Sequence, residues 1–459
     1  MIGGFQIRDE KACVVASSQG DHGKAMNVGG GPLINLERRY GSGAEKNLLQ
    51  REPVGGGFGD GYVSEVNGIE GAAEEADVHC SDATMHAMAD AKVACLTDFE
   101  ALAQERINRN AWEYIHGGAG DEYTVRWNRE AYERLQLMPR VLTDVSRIDT
   151  SVELFGRKYP NPILLAPTAY HKLVHHEGEI ATARGASEAG AFVVSSFANF
   201  AIEEIVKVAS GPVWFQLYAQ RDRGFTRELV ARAVQAGCEA LCLTVDTPVL
   251  GMRNREERCG FTLPDDLSRP NLAGLIVEGK ALSASSEGHR PPPESIYSAL
   301  ANPELAWGDV DWLRSTCDVP VLLKGILNPE DAKRAVERGA SGIVVSNHGG
   351  RNLDTLPATA AVLPYIADVI QGRVPILVDG GIRRGTDVLK ALALGADAVM
   401  IGRPYLYGLA VDGADGVARA VGILKRELEM ALALTGRSSV AELDRTVLWL
   451  PNAAGIQYT

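Results

Sequence analysis

From residue 160 onward the chain repeats one phrase eight times: a short apolar run, then a stretch rich in Ala, Glu and Arg with a late Gly. The runs are Ile163–Ala166, Phe192–Ser195, Val213–Leu217, Ala240–Thr244, Val321–Lys324, Gly342–Val345, Ile376–Asp379 and Ala398–Ile401. Segments between them, such as EIATARGASEAGA, RELVARAVQAGCEA and PEDAKRAVERGAS, read as helices. The runs are continuously apolar rather than alternating, so both faces of each strand must be buried. That requires a parallel sheet covered by helices. Eight such units predict an α/β fold, a closed (β/α)8 barrel of the TIM type. A doubly wound open sheet is the alternative, but eight near-regular units with no switch in pattern favour closure.

The region before this rhythm is different. The first 71 residues hold 16 of the 49 glycines and show no sustained periodicity. The cluster Gly55–Gly61 spells neither GxGxxG nor a Walker A motif and lacks a strand-to-helix context. Residues 1–93 are expected to be a disordered Gly-rich extension, or a mis-assigned start upstream of Met85 or Met88. Residues 94–459 then form the catalytic domain, opened by an amphipathic helix over Thr97–Ile115. Net charge is −13, from 46 Lys+Arg against 59 Asp+Glu, which argues against a nucleic-acid partner. No apolar run reaches the roughly 18 residues of a membrane span. Seven Cys with no CxxC pair, and no signal-peptide pattern, predict a cytoplasmic protein with reduced thiols.

In a barrel, functional groups gather where strands end, on the C-terminal face. Strand 1 ends in Pro167-Thr168-Ala169-Tyr170, strand 2 in Ser195-Ser196-Phe197, and strand 3 carries Gln216 and Tyr218. Strand 4 carries Thr244 and Asp246 with Arg253 beyond, strand 5 Lys324, and strand 6 Ser346-Asn347-His348-Gly349-Gly350-Arg351. Strands 7 and 8 end in Asp379-Gly380-Gly381 with Arg383, and in Gly402-Arg403. A stabilising rim would not concentrate polar groups and glycines in this way. Gly380, Gly381 and Gly402 leave backbone N–H groups accessible to an anion, and Arg383 and Arg403 add guanidinium donors, so a phosphate site is expected there. His348 near Arg351 suits proton removal from a substrate whose carboxylate that arginine holds, with Asp246 as the imidazole's partner. Lys324 in the barrel mouth calls for an anion or developing negative charge, with a Schiff base as the rival reading. His171 and His175, with His176, Glu177 and Glu179, have helical spacing but no further matching ligands, so no metal is expected. Cys238 and Cys242 read as buried thiols, and Trp112 and Trp214 as core.

Together these residues resemble the FMN-dependent 2-hydroxy acid oxidase and dehydrogenase family, which includes glycolate, lactate and mandelate oxidases. The resemblance runs from about Thr97 to Gly436. It is carried by SNHGGRNLD (Ser346 to Asp354), LTVDTP (Leu243 to Pro248), FQLY (Phe215 to Tyr218), DGGIRRGTDV (Asp379 to Val388), APTA (Ala166 to Ala169) and GRP (Gly402 to Pro404). It implies FMN as cofactor and His348 as catalytic base, paired with Asp246. Arg351, Arg253 and Tyr114 would hold the substrate carboxylate, and Tyr218 its hydroxyl or keto oxygen. Lys324 would stabilise the reduced flavin. Pro167, Thr168, Ala169, Ser195, Gln216, Thr244 and Ser346 would contact the isoalloxazine and ribityl chain, and Asp379, Gly381, Arg383, Gly402 and Arg403 the ribityl and phosphate end.

The implied reaction turns an (S)-2-hydroxy acid into a 2-keto acid. Oxygen or another electron acceptor then restores the flavin, with electron transfer by hydride or through a carbanion left open. The chain lacks the His-Pro-Gly-Gly motif of the haem domain fused to yeast lactate dehydrogenase. The Cys259–Val310 connection, too long for a simple crossover, reads as a lid or disordered insertion rather than the insert that tethers mandelate dehydrogenases to membranes. The ending Ile456–Thr459 is not a Ser-Lys-Leu address. Ala169, Tyr170, Phe197 and Leu250 are expected to shape the pocket for an aromatic or bulky acid, with lactate-sized acids next. A homo-oligomer, often a tetramer in this family, is also implied.

Overall fold

A computed structural model describes residues 93–449 except 265, 278–279, 282–294 and 299. The expected extension up to residue 92 with its Gly55–Gly61 cluster, residues 282–294 of the Cys259–Val310 connection, and the Ile456–Thr459 ending therefore lie outside the described residues.

Eight parallel strands close into a barrel: β1 (Ile163–Leu165), β2 (Phe192–Ser195), β3 (Val213–Leu217), β4 (Leu241–Thr244), β5 (Val321–Ile326), β6 (Gly342–Val345), β7 (Ile376–Asp379) and β8 (Ala398–Ile401). Each pairs with its neighbours in the chain, and β8 closes on β1 with Val399 opposite Ile163. Five of the apolar runs coincide with strands to the residue. β1 ends one residue early, β4 begins one late, and β5 continues to Ile326 across a shift in register after Lys324. Gly325 sits in that shift at φ +110, where a side chain would strike the Asp246 carboxylate at 2.5 Å. Glycine there lets β5 pass beside a residue of the neighbouring strand's loop.

The strand period of two explains the doubly apolar runs. Leu164, Val193, Trp214, Cys242, Leu322, Val344, Leu377 and Met400 form one buried cluster inside the barrel. The alternate positions, among them Leu165, Val194, Phe215, Leu243, Leu323, Ile343, Val378 and Ile401, belong to the larger cluster shared with the helices. An antiparallel hairpin, Val152–Leu154 with Arg157–Tyr159, packs Leu154, Phe155 and Tyr159 around Trp214 and closes the N-terminal end of the barrel.

The predicted helix over Thr97–Ile115 is two helices, α1 (Leu96–Arg106) and α2 (Arg109–His116). Ile107 turns extended, and Asn108 caps α2 by accepting the Ala111 N–H at 2.9 Å. An asparagine that competes for backbone bonds is a better cap than a helix-interior residue. Helix α3 (Tyr123–Arg134) follows. The barrel is then wrapped by α4 (Gly178–Gly185), α5 (Ile202–Val208), α6 (Arg223–Ala236), α7 (Asn254–Arg258), α8 (Trp307–Arg314), α9 (Pro329–Glu337), α10 (Thr359–Ile370), α11 (Gly385–Ala393) and α12 (Arg403–Leu434). Among the described residues no helix is long and apolar enough to cross a membrane.

Candidate active site

The same period of two that fills the barrel also builds the site. Two residues beyond the inward Val193, Trp214, Cys242, Leu322, Val344, Leu377 and Met400 stand Ser195, Gln216, Thr244, Lys324, Ser346, Asp379 and Gly402. These form a polar layer on top of the apolar one, and its hydrogen bonds run around the barrel. Ser195 Oγ donates to Gln216 Oε1 at 3.3 Å, and Gln216 Nε2 donates to Thr244 Oγ1 at 3.0 Å. The Lys324 ammonium sits 3.0 Å from Asp379 and donates to Ser346 Oγ at 2.9 Å. Burial works against a charge on Lys324, but Asp379 and Asp246 outweigh it and hold the ammonium protonated above its ordinary range.

The β6–α10 loop lifts His348 above this layer. His348, Gly349 and Gly350 are all left-handed, and φ of +57 at a histidine is a strained conformation that its surroundings must hold. Asn347 and Asn128 of α3 exchange two side-chain hydrogen bonds at 2.9 and 2.8 Å, and Asn347 also accepts from the Gly350 N–H. His348 Nδ1 lies 3.0 Å from Asp246 Oδ1 and Nε2 lies 3.4 Å from the Tyr218 hydroxyl. With Asp246 ionised, Nδ1 carries the proton and Nε2 keeps its lone pair. Burial holds the His348 pKa below its ordinary value, with Asp246 pulling the other way. Burial raises the Asp246 carboxyl, but His348, Lys324 and Thr247 outweigh it and hold it below the usual range.

Next to the imidazole stand two arginines. Arg253 Nε donates to the Arg351 carbonyl at 2.7 Å, and Arg351 Nη1 donates to the carbonyls of Tyr114 and Gly117. The buried Glu256 lies 3.0 Å from Arg253 and 3.7 Å from Arg351, offsetting one of their two charges. At the far side, Arg403 spends its donors on the carbonyls of Ile115, Gly117 and Gly349, pinning α2 to the His348 loop. Burial and neighbouring guanidiniums bring its pKa down to about 9 and lower that of Arg383 as well. Gly381 is required for packing: at φ +84, a Cβ there would lie 2.0 Å from the Asn128 carbonyl.

One cleft collects these groups. Its walls include Tyr114, Pro167, Thr168, Ala169, Ser195, Phe197, Gln216, Tyr218, Thr244, Arg253, Lys324, His348, Arg351, Asp379, Gly381, Arg383, Gly402 and Arg403. Two of the sequence-predicted residues lie one layer behind: Asp246 against His348, and Ser346 between the Lys324 ammonium and the His348 N–H. Of the pocket-shaping residues, Ala169, Phe197 and Leu250 line the cleft, whereas Tyr170 is fully buried behind Phe197. Sequence reading missed Glu256, Thr247, Asn352 and the insertion residues Ser298, Leu300, Asn302 and Leu305 that line the cleft. Asn352 Nδ2 donates to the Asp246 carbonyl and to Thr247 Oγ1. His171 is bonded to Thr168 and Thr182 inside the fold, and the His175 ring accepts the Glu177 N–H. Cys238 and Cys242 are buried thiols whose pKa burial pushes up to about 12.

The donor set suits an anionic cofactor. The cleft is lined by five cations (Arg253, Arg351, Arg383, Arg403, Lys324) and the carboxylate of Asp379, and Asp246, Glu256 and Glu100 stand behind it against His348, Arg253 and Arg383. Among the described residues, the buried Arg383 Nε and Asp379 Oδ1 have no hydrogen-bond partner, and the nearest carboxylate to Arg383 Nε, Glu100, lies 3.7 Å away. Residues 103–450 match the family described as FMN-dependent dehydrogenase. The chain belongs to that family. FMN is its cofactor, and the residues above fit a phosphate-bearing flavin.

The chain is 46% identical over 363 residues to an L-lactate oxidase of Nostoc sp., covering 77% of this chain and 98% of that one. A glycolate oxidase of Spinacia oleracea is 42% identical over 77% of this chain and 95% of its own. A crystal structure of a mandelate oxidase superposes with a TM-score of 0.70 at 40% identity, covering 78% of this chain and 98% of that chain. This family member is an FMN-dependent 2-hydroxy acid oxidase.

Proposed function

We propose that residues 94–459 oxidise an (S)-2-hydroxy acid with a bulky, aromatic side chain to the 2-keto acid, with His348 as the base. The observation that carries this is the imidazole itself. Asp246 lies 3.0 Å from its Nδ1, while His348 lines the cleft beside two arginines. FMN, when bound, supplies the two-electron acceptor. Arg383, Arg403, Gly402, Gly381 and Asp379 would hold its phosphate and ribityl end, and Pro167, Thr168, Ala169, Ser195, Gln216, Thr244 and Lys324 its ring, with Ser346 behind Lys324.

The residues divide the remaining work. Arg351, Arg253 and Tyr114 would orient the substrate carboxylate, their charge partly balanced by Glu256 so that one anion is accepted without excess repulsion. Tyr218 stays protonated because burial raises its pKa, and its hydroxyl donates to the substrate oxygen. The acid loses two electrons and two protons: His348 Nε2 takes one proton, and FMN, when bound, would accept the two electrons with the other. Burial keeps the imidazole neutral and ready to act, and Asp246 then stabilises the imidazolium. Apolar groups around the rest of the cleft (Phe197, Leu250, Leu300 and Leu305) favour a large apolar substrate side chain over a glycolate-sized one. Oxygen is the proposed final acceptor, giving hydrogen peroxide, in line with the oxidase names of the relatives.

The test is anaerobic mixing of the yellow holoenzyme with glycolate, lactate and mandelate while the blue absorbance band is followed. The proposal predicts bleaching, fastest with mandelate, and recovery when air is admitted. Bleaching that persists in air would refute oxygen as acceptor. Bleaching fastest with glycolate would refute the aromatic preference.

A further inference from the structure

Helix α3 precedes the barrel strands, yet one of its side chains reaches the backs of two loops that wall the cleft. Thr124, Asn128 and Tyr132, four residues apart, are its buried face, and Asn128 is 2% exposed. The first loop is the one that carries His348. Asn128 Nδ2 donates to Asn347 Oδ1 at 2.9 Å, and Asn347 Nδ2 donates to Asn128 Oδ1 at 2.8 Å. Backbone partners fix both amides. Asn128 Oδ1 also accepts the Thr359 N–H at 3.2 Å, Asn347 Oδ1 accepts the Gly350 N–H at 3.2 Å, and Asn347 Nδ2 donates to the Pro357 carbonyl at 3.1 Å. A main-chain N–H only donates, so neither amide can turn over without setting donor against donor.

The second loop is the turn after β7. Thr359, whose N–H Asn128 accepts, opens α10 and donates its own hydroxyl to the Asp379 carbonyl at 2.6 Å. Gly380 packs against both side chains: a Cβ there would lie 3.1 Å from Thr359 Oγ1 and 3.2 Å from Asn128 Nδ2. Asn128 therefore touches the His348 loop on one side and the Asp379–Gly381 turn on the other, and His348, Asp379, Gly380 and Gly381 line the same cleft. Docking a helix needs only apolar packing. A buried amide pair with its donors and acceptors engaged fixes geometry as well, and it is costly to break because the surviving partner stays buried and unpaired. His348, left-handed at φ +57, depends on such outside support.

We infer that Asn128 is a positioning residue for both halves of the site: through Asn347 it holds the His348 loop in place, and through Thr359 and Gly380 it holds the turn that would carry the ribityl and phosphate end of FMN. The inference rests on the reading of His348 as the base and of Asp379–Gly381 as part of the FMN site. A substitution at this one helix position should loosen the cofactor and slow the chemistry together. A substitution on either branch alone should move one of the two.

The test uses the FMN-loaded enzyme and the variants Asn128→Ala, Asn128→Asp, Asn347→Ala, Thr359→Val and the Asn128→Ala/Asn347→Ala double. Three quantities are measured on each: the rate of FMN release, from the rise in free-flavin fluorescence after dilution; the anaerobic rate of flavin bleaching by saturating mandelate; and the thermal midpoint. Asn128→Ala is expected to speed FMN release about tenfold and to slow bleaching about tenfold. Asn347→Ala should slow bleaching about tenfold and leave FMN release within twofold. Thr359→Val should speed FMN release about fivefold and leave bleaching within threefold. The double variant should bleach no more slowly than Asn128→Ala, because both changes break the same link. An Asn128→Ala enzyme with a lower thermal midpoint but wild-type release and bleaching would overturn the inference, since a merely structural contact gives that result. Bleaching losses that multiply in the double would overturn it too. Should Asn128→Ala fail to fold, Asn128→Asp, which keeps the shape but loses the N–H toward Asn347, carries the test and should move both rates in the same directions. A wild-type enzyme whose flavin none of glycolate, lactate and mandelate bleaches would instead bring down the reading of His348, and this inference with it.

Discussion

Asp246→Asn isolates the step on which the proposed chemistry turns. In the wild type the carboxylate lies 3.0 Å from His348 Nδ1 and both side chains are mostly buried. When His348 takes a proton, an imidazolium–carboxylate pair forms with charge centres about 4 Å apart. At an effective dielectric constant of about 20 that pair is worth ~4 kcal/mol. Removing the charge while keeping the shape should therefore lower kcat by roughly 10³-fold, at 1.36 kcal/mol per decade. The sign of the pH effect is also fixed. Asp246 is the group that raises the His348 pKa against burial, so without its charge the acid limb of kcat/KM moves to lower pH. The assay is steady-state turnover of the purified variant from pH 4 to 9, with FMN content and thermal midpoint measured on the same sample. A variant that keeps its flavin and turns over within tenfold of wild type would refute the pairing argument. So would an acid limb that moves upward.

Further predictions follow from the same geometry. Lys324→Met leaves Asp379 buried without its ion pair, a loss of about 3–5 kcal/mol; denaturant unfolding should record it, and FMN should dissociate on gel filtration. Gly325→Ala forces a Cβ at 2.5 Å from Asp246 with φ at +110, costing roughly 2–4 kcal/mol from backbone strain and overpacking. Its unfolding midpoint and its kcat should both fall. In the wild-type enzyme, kcat/KM should decline only below the ordinary histidine value near 6.5, because His348 is depressed by burial. A limb above pH 7 would point to a different base. Glu256→Gln removes the carboxylate between Arg253 and Arg351, so Kd for an oxalate probe should fall and become more salt-dependent.

What could be read without coordinates was what a regular period writes into the chain. Leu322 and Lys324, or Val344 and Ser346, are two apart on one strand, so the switch from apolar to polar at each strand end marks the floor of the site directly. His348 and Arg351 were legible for a similar reason, being close in sequence on one loop. Glu256 and Asn352 were not. Each acts through a contact with a distant segment: Glu256 with Arg351, and Asn352 with Asp246. No spacing encodes those pairings. Tyr170 is expected among the side chains nearest the substrate, but its left-handed backbone turns it behind Phe197. The break at Asn108 was hidden because the apolar period continues across it, and only the cap that its side chain gives the second helix marks the new start.

The proposed chemistry rests on His348 as the group that takes the substrate's proton. It is tested most directly by anaerobic stopped-flow mixing of FMN-loaded His348→Gln with mandelate. The variant should bind mandelate with a Kd near the wild-type value, since Arg253, Arg351 and Tyr114 are untouched, and its blue band should bleach at least 10³-fold more slowly. Bleaching at a rate close to wild type would contradict the account.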